Sequence, residues 1–592
     1  MYQLGLIGNC QTSALIDQSG AIAWLCLPRP DSPPVFGRIL DEQGGHFAIT
    51  PTEEYETHQR YLPNTNVLVT TMTCADGSEL RITDFCPRFE QHGRMYRPMS
   101  LFRIVEPIKG APTIRVSCRP VVGWEREWAI AIRGNSHVKY EIRNDTLRVV
   151  TNMSLTYLCE EAAFTLQEKL YFGVTWGTGI GDDLEKVTLD FLDRTIGYWQ
   201  TWVKHCSIPT QFQNETIRSA LALKLHCYED TGAILAALTT SLPEDVGQGR
   251  NWDYRFCWLR DAAFVLSAFH NLGHFEEMEG FLKFLLNIAH KHEHSRDRLR
   301  PVYALDQTLP LPEREHLNWQ GYCGSRPVRS NNQAAEHVQN DVYGEMILTL
   351  APIFFDERFW HLRTEQHENL LLSLTDLCIK NISKPDAGLW EFRNGWQEHS
   401  FSNLMSWAGI ERVARIKEKG FLQALDGRLL LAAKESAERA LKRAIQDGSL
   451  RNGPDDKSLD AALLLLPILH FPDLELCKET VAQIAEGLRL KSEGGAQGFL
   501  YRYTRKDDFG TPNSAFLLCS FWLVQALAQV GNLKLAREVL SEAAKAANQL
   551  GLFSEHFFPG QSRQGGNYPQ AYSHVGMINA AFSVSPPWSE IL

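Results

Sequence analysis

Apolar and polar residues follow two different rhythms along this chain. Up to about residue 185 the apolar residues come in short runs. Leu80-Arg81-Ile82-Thr83-Asp84-Phe85 and Val138-Lys139-Tyr140-Glu141-Ile142 alternate with period two, which predicts strands with one buried face. Residues 67–73 form another β-rich run, and Asn144-Asp145 is expected to turn the chain into a strand over 147–150. Many short strands bounded by turn residues predict a β-sandwich. The pattern changes near Leu184. Residues 189–205 read as a connecting helix and 207–213 as a linker. Beyond about residue 214 the period is that of a helix. Leu533, Ala536, Leu540, Ala543 and Ala547 share one face, Arg537, Glu538, Glu542 and Lys545 lie off it, and Asn532 suits the N-cap. Residues 428–446 predict a similar helix, stopped by Gly448. Roughly eleven or twelve helices fit between residues 214 and 585, a number that suits a ring of paired helices. The expected organisation is therefore multidomain β + α: a sandwich over 1–185, a helical linker over 186–213 and a helical domain over 214–592.

Composition narrows the function without naming it. At 592 residues the chain exceeds one ordinary core. Its net charge of −11, with no basic block, gives nucleic-acid binding no electrostatic support. The most apolar helical run, 459–469, contains Asp460 and Pro467 and is too short for a bilayer, so no membrane role is expected. The 13 cysteines show no C-x-x-C pair, and the start shows no basic leader. Reduced thiols and a cytoplasmic protein are the expectation. Assembly into a homo-oligomer is left open.

Three segments carry the candidate chemistry. The first, Gly249-Arg250-Asn251-Trp252-Asp253-Tyr254-Arg255-Phe256-Cys257-Trp258-Leu259-Arg260-Asp261-Ala262, interleaves aromatic rings with paired charges just before a helix. Aromatic planes beside fixed charges suit a pyranose, which has apolar faces and a rim of hydroxyls. The same residues could equally staple a loop to a core. In the second, Glu391 lies between Trp390 and Phe392. A carboxyl desolvated by rings has a raised pKa, as a general acid requires, whereas a surface Glu beside rings by chance does not. The third is Ser554-Glu555-His556, followed by Gly565-Gly566-Asn567-Tyr568-Pro569-Gln570-Ala571-Tyr572-Ser573-His574. Glu555 suits a base. Glu555, His556 and His574 lack the spacing of a zinc site, and no metal or cofactor is expected. There is no P-loop, no H-E-x-x-H and no G-x-S-x-G. Gly177-Thr178-Gly179-Ile180-Gly181 lacks the dinucleotide spacing.

Taken together, these segments resemble glycoside hydrolase family 15, the family of glucoamylases, glucodextranases and trehalases of bacteria and archaea. The likeness begins at Leu6-Ile7-Gly8-Asn9 and Ile22-Ala23-Trp24-Leu25-Cys26-Leu27-Pro28. It continues through Thr239-Thr240-Ser241-Leu242-Pro243-Glu244, Gly324-Ser325-Arg326-Pro327-Val328-Arg329 and Asp341-Val342-Tyr343-Gly344 to the Glu391 and Glu555 loops. The resemblance implies an N-terminal β-sandwich of the supersandwich type, a helical linker and an (α/α)6 barrel with its pocket at one end. It implies Glu391 as general acid and Glu555 as general base. It also implies that Arg260 and Asp261 grip the terminal glucose, with Tyr254, Trp258 and Trp390 as aromatic walls. Trp252, Asp253 and Arg255 are then left to the stapling role. An inverting mechanism needs its two carboxyls roughly 6.5–9.5 Å apart, to admit a water. The chain departs from the family pattern at His556, where a second acid is common, and at Asn513-Ser514, Asn331-Asn332-Gln333 and Ser402-Asn403. These departures bear on the leaving-group side, and therefore on the substrate. The expected activity is an inverting exo-α-glucosidase releasing β-glucose from α-glucans or α-gluco-oligosaccharides. The alternative is an α,α-trehalase; a disaccharide phosphorylase or a non-catalytic sugar-binding protein fits less well, because both carboxylates are present.

Overall fold

The computed structural model describes residues 1–293, 298–490 and 498–592. Two antiparallel sheets make the N-terminal sandwich. One, of seven strands, orders Leu4–Gly8, Ser13–Asp17, Ile22–Cys26, His46–Pro51, Thr113–Arg119 and Phe164–Thr165, with Pro34–Phe36 paired to Ile22–Cys26. The other, of eight, orders Ile130–Arg133, His137–Ile142, Asp145–Thr151, Leu170–Trp176, Ser100–Lys109, Glu79–Phe85, Leu68–Cys74 and Tyr55–Tyr61. Ile22, Phe47 and Val116 of the first sheet share a core with Leu80, Ile82, Val105 and Phe172 of the second. The period-two faces are the reason: Leu80 and Ile82 point inward while Arg81 does not. Asp84 breaks the alternation and is buried, its charge met by Arg103 at 2.7 Å. The expected turn lies one residue earlier than Asn144-Asp145. Ile142 pairs with Asp145, so Arg143 and Asn144 form the turn, with Arg143 at φ 55°.

After a short helix α1 (Leu155–Cys159), the connecting helix α2 (Leu184–Lys204) begins earlier than residue 189. Asp183 caps it by accepting from the Lys186 amide at 3.2 Å. Twelve α-helices follow among the described residues, in pairs: α3 (Gln213–Lys224) and α4 (Leu259–Leu272), α5 (Glu276–Glu293) and α6 (Asp341–Phe355), α7 (Glu365–Asn381) and α8 (Ser400–Glu418), α9 (Gly427–Arg443) and α10 (Leu465–Ile468), α11 (Leu474–Gly487) and α12 (Leu517–Gln529), α13 (Leu533–Ala543) and α14 (Ala571–Val584). The even-numbered helices pack as a closed inner ring, α4 on α6, α6 on α8, α8 against the turn before α10, α10 on α12, α12 on α14 and α14 on α4. The odd-numbered helices lie outside. This is the (α/α)6 barrel. Amphipathic α13, capped by Asn532, keeps Ala536, Leu540 and Ala543 inward, whereas inner α12 is buried along most of its length.

The helix expected over 428–446 ends at Arg443. Ile445–Gln446 pairs with Ser449–Leu450 as a small hairpin. Asp447-Gly448 is its turn, both residues at positive φ, a dipeptide suited to two-residue hairpins. The apolar run 459–469 becomes a 3-10 turn, Ala461–Leu464, and the single turn α10.

Every inner helix enters the ring from the same end, after a loop. Arg260 and Asp261 open α4, Gln339 precedes α6, the Glu391 loop precedes α8, Phe516 precedes α12, and the Glu555 loop precedes α14. The fold thus gathers loops far apart in sequence around one mouth.

Candidate active site

The mouth holds two adjoining compartments of about 70 Å³ each. The inner one is lined by Tyr254, Trp258, Arg260, Asp261, Trp390, Glu391 and Glu555, which brings all seven sequence-derived candidates together, and also by Arg502 and Tyr572. The outer one adds Glu244, Arg250, Trp252, Asn332, His337, Asp507, Asp508 and Phe509. Tyr254, Trp390, Glu391 and Arg502 face both compartments, so they form the seam between them.

Glu391 sits on that seam at φ 61°, a left-handed conformation that few non-glycine residues adopt. Its amide donates to Gly388 O at 3.1 Å. Gly388 itself is at φ 67°, and a Cβ there would stand 2.7 Å from the His399 ring. The surroundings of the carboxylate differ from the expectation. Trp390 turns away, its indole N–H donating to Asp460 Oδ1 at 2.9 Å, and Phe392 stacks on His399. Glu391 Oε1 instead accepts from Trp258 Nε1 at 2.6 Å, and from Arg260 and Gln339 at 3.3 Å each. The hydrogen bonds to this carboxylate therefore come from neither flanking ring. Its environment comes from α4 and the segment before α6.

Glu555 is 3% exposed, and its Oε1 accepts from Tyr572 Oη at 2.7 Å. Burial pushes its carboxyl above the ordinary range; the nearby His556 opposes this and Glu244 adds to it. Gly566 leaves room for the side chain, since a Cβ there would lie 2.6 Å from Glu555 Oε2. Glu244 is buried as well, but Arg502 pairs with it in a fork at 3.0 and 3.3 Å. Burial alone would raise its pKa; Arg502, then His556 and Arg250, hold it well below the ordinary range.

Arg260 donates to Gln339 Oε1 at 3.1 Å and to Glu391, and lies 3.4 Å from Asp261 Oδ2. Asp261 Oδ2 is buried with no hydrogen-bond partner. Burial, opposed by Arg260 and reinforced by Glu391 and Glu555, pushes the Asp261 carboxyl up to about 6.

The stapling role falls to two of the three residues assigned to it. Arg255 and Asp253 form a buried pair at 2.7 Å, and Arg255 reaches Pro30 O at 3.2 Å. Trp252 does not join them. It lines the outer compartment with its ring edge-on to Phe509, centroids 5.3 Å apart. His574 lies away from the carboxylates, on Ser219 and the Phe553 amide. A further cavity of about 710 Å³ lies deeper in the barrel, beneath Phe264, Leu518 and Trp522, which floor the inner compartment. Neither candidate carboxylate lines it.

Residues 211–582 match the sequence model of Glycosyl hydrolases family 15, and residues 1–158 that of the Trehalase-like, N-terminal family. The chain belongs to glycosyl hydrolase family 15. As a member of family 15 it is a glycoside hydrolase with a carbohydrate substrate. Among its relatives, a protein named trehalase from Mycolicibacterium smegmatis is 30% identical over 615 residues, covering 98% of this chain and 90% of the relative. One of the same name from Thermoplasma volcanium is 31% identical, covering 98% and 92%. A bacterial glucoamylase solved with acarbose has the same fold, with a TM-score of 0.66 at 14% identity, covering 98% of this chain and 94% of that one. No described helix is long and apolar enough to cross a membrane.

The family-15 pocket contains residues to which the sequence reading gave no role. Tyr572, Gln339, Glu244 and Arg502 all touch the carboxylates or their partners. Arg502 stands between Tyr501 and Tyr503, the same interleaving of charge and ring that marked residues 249–262. That signal was present but short.

Proposed function

We propose that this protein is an inverting α,α-trehalase. One observation carries the reading: over nearly its whole length the chain is similar to proteins named trehalase at about 30% identity, whereas the glucoamylase likeness at 14% speaks only for the fold. The exo-glucan reading expected first therefore gives way to its alternative.

In this reading the inner compartment takes one glucose. Asp261 Oδ2, a buried acceptor without a donor, receives a sugar hydroxyl, and Arg260, Tyr254, Trp258 and Trp390 hold the ring. The glycosidic oxygen then lies at the seam. Glu391 gives it a proton as the C–O bond breaks, and the second glucose leaves into the outer compartment. Glu555, its Oε1 held by Tyr572, takes a proton from the water that attacks the anomeric carbon from the opposite face. Because the departing glucose keeps its configuration and the attacked one inverts, trehalose gives one α- and one β-glucose.

The test compares glucose release from trehalose, maltose, isomaltose, kojibiose, nigerose and starch without added phosphate, with proton NMR of the first products. The expected result is a kcat/KM for trehalose at least about tenfold above the others and equal α and β signals. Faster turnover of maltose or starch overturns the trehalase assignment, and α-glucose alone overturns inversion. Glu391→Gln and Glu555→Gln should each lower kcat by about 10²–10⁴ with the fold intact by circular dichroism. Near-wild-type turnover removes that residue from its role.

A further inference from the structure

His556 follows Glu555 into the short strand His556–Phe558 and is 1% exposed. Its Nδ1 lies 2.8 Å from Ser514 Oγ. Its Nε2 has no hydrogen-bond partner, yet stands 3.6 Å from Glu244 Oε1 and 3.6 Å from Glu555 Oε2. A bare lone pair facing two carboxylate oxygens is repelled by both. With both carboxylates ionised, the arrangement favours a proton on Nε2. Ser514 accommodates either ring form, donating its hydroxyl proton to a bare Nδ1 or accepting from an Nδ1–H. The Phe516 ring, edge-on at 4.9 Å, confines the imidazole plane.

The groups around the imidazole define what that proton does. From the segment before residue 250 comes Glu244, already met by Arg502 in a fork and by Arg250 at 3.5 Å. Arg502 and Arg250 are in turn engaged by Asp507. From α14 comes Tyr572, bonded to Glu555 Oε1. Tyr254 and Asp261 act on Glu555 from the segment that opens α4, and neither supplies it with a positive charge. Glu244 thus has two guanidinium groups in contact. Glu555 Oε2 has the His556 imidazole 3.6 Å away, while the Arg502 charge also acts on it.

We propose that His556 is a positioning residue for the base: the proton on its Nε2, placed between Glu244 and Glu555, keeps the buried Glu555 carboxylate ionised and oriented toward the attacking water. This rests on the reading of Glu555 as the base. It also gives a shared purpose to two departures from the family pattern, His556 and Ser514, which touch each other in the fold.

The experiment is the pH dependence of kcat/KM on trehalose for the wild type, His556→Gln and Ser514→Ala, with Tm and circular dichroism of each. Gln approximates the reach of the ring, but its flexible amide does not fix an N–H between Glu244 and Glu555. The acidic limb of His556→Gln should move up by about one pH unit, because Glu555 loses a stabiliser of its charged form. Ser514→Ala should move the limb the same way by less. A limb that stays in place in both folded variants overturns the proposal, as does a loss of turnover equal at every pH, which is the signature of a structural role. If His556→Gln does not fold, Ser514→Ala decides alone. Full activity in Glu555→Gln would instead remove the base assignment itself, so the two failures are distinguishable.

Discussion

A buried carboxylate oxygen without a donor is costly to a fold, and Asp261 Oδ2 is one, 3.4 Å from Arg260 but bonded to nothing. In the proposed reading a substrate hydroxyl satisfies it, so part of the cost of burying it returns as binding. Losing a hydrogen bond to a charged acceptor costs about 1.5–3 kcal/mol, so Asp261→Asn should lower kcat/KM roughly 10- to 100-fold. The pH dependence sharpens the test. Burial, with Glu391 and Glu555 adding to it against Arg260, pushes Asp261 up to about 6, and Glu555 is raised as well. In the proposed reading both must be ionised for turnover, so log kcat/KM of the wild type should climb between pH 4 and 6 with a slope above one. In Asp261→Asn the slope should fall to one. An unchanged slope in the variant means that Asp261 does not titrate in this range in the free enzyme, and the second ionisation belongs to another group.

The loop between α7 and α8 sets where Glu391 sits, and Asp386 ties that loop down. Its Oδ1 accepts from the Gly388 amide at 3.0 Å, and its Oδ2 from the Asn340 amide and Ser402 Oγ at 2.7 Å each. Burial, and then the neighbouring Asp341 carboxylate, push Asp386 up to about 7 from an ordinary 3.8. A carboxyl raised on folding binds more protons folded than unfolded, so it favours the fold below its ordinary value, and that contribution fades as pH rises toward 7. The Tm of Asp386→Asn relative to wild type should therefore rise from pH 4 to pH 7; a constant difference across that range sinks the linkage. Neither Asp386 nor its partners announced this role, because Asn340 reaches it from just before α6 and Ser402 from the first turn of α8. The same limit governed the rest of the reading. Leu80 to Phe85 and Leu533 to Ala543 were legible because their periods are local. Asp447-Gly448 carried its hairpin signal, but the helical run before it masked the turn. Glu391 and Glu555 were legible through motif and family resemblance, whereas Arg502, Gln339 and the true surroundings of Glu391 depend on contacts between distant loops, which leave no period in a sequence.

At the scale of the molecule, sandwich and barrel share one apolar core, in which Leu4, Leu15 and Trp24 lie with Leu225, Leu259 and Tyr568. One polar tie across that junction starts from the pair Asp253–Arg255, whose side chains are 0% and 1% exposed. Arg255 donates to the Pro30 and Ser32 carbonyls, and its guanidinium lies 5.5 Å from the Trp124 ring centroid and 5.9 Å from that of Trp24. Asp253 also accepts from the Asn331 amide at 3.2 Å. Tyr254 lies between the two residues in sequence and lines the pocket, so the tie to the sandwich and the wall of the site are one piece of backbone. Removing one member of a buried pair leaves the other uncompensated, at a cost of about 3–5 kcal/mol. Arg255→Met should therefore lower the denaturant midpoint strongly, and Asp253→Asn should do so too. The double variant, with no lone charge to bury, should be less destabilised than the sum of the two. Because the backbone of Tyr254 shifts with its neighbours, each single variant should also lose kcat/KM at temperatures where it is still folded. If the midpoints of the two single variants add without coupling, the pair is not the tie; if activity stays intact in both, the sandwich does not support the pocket through this run.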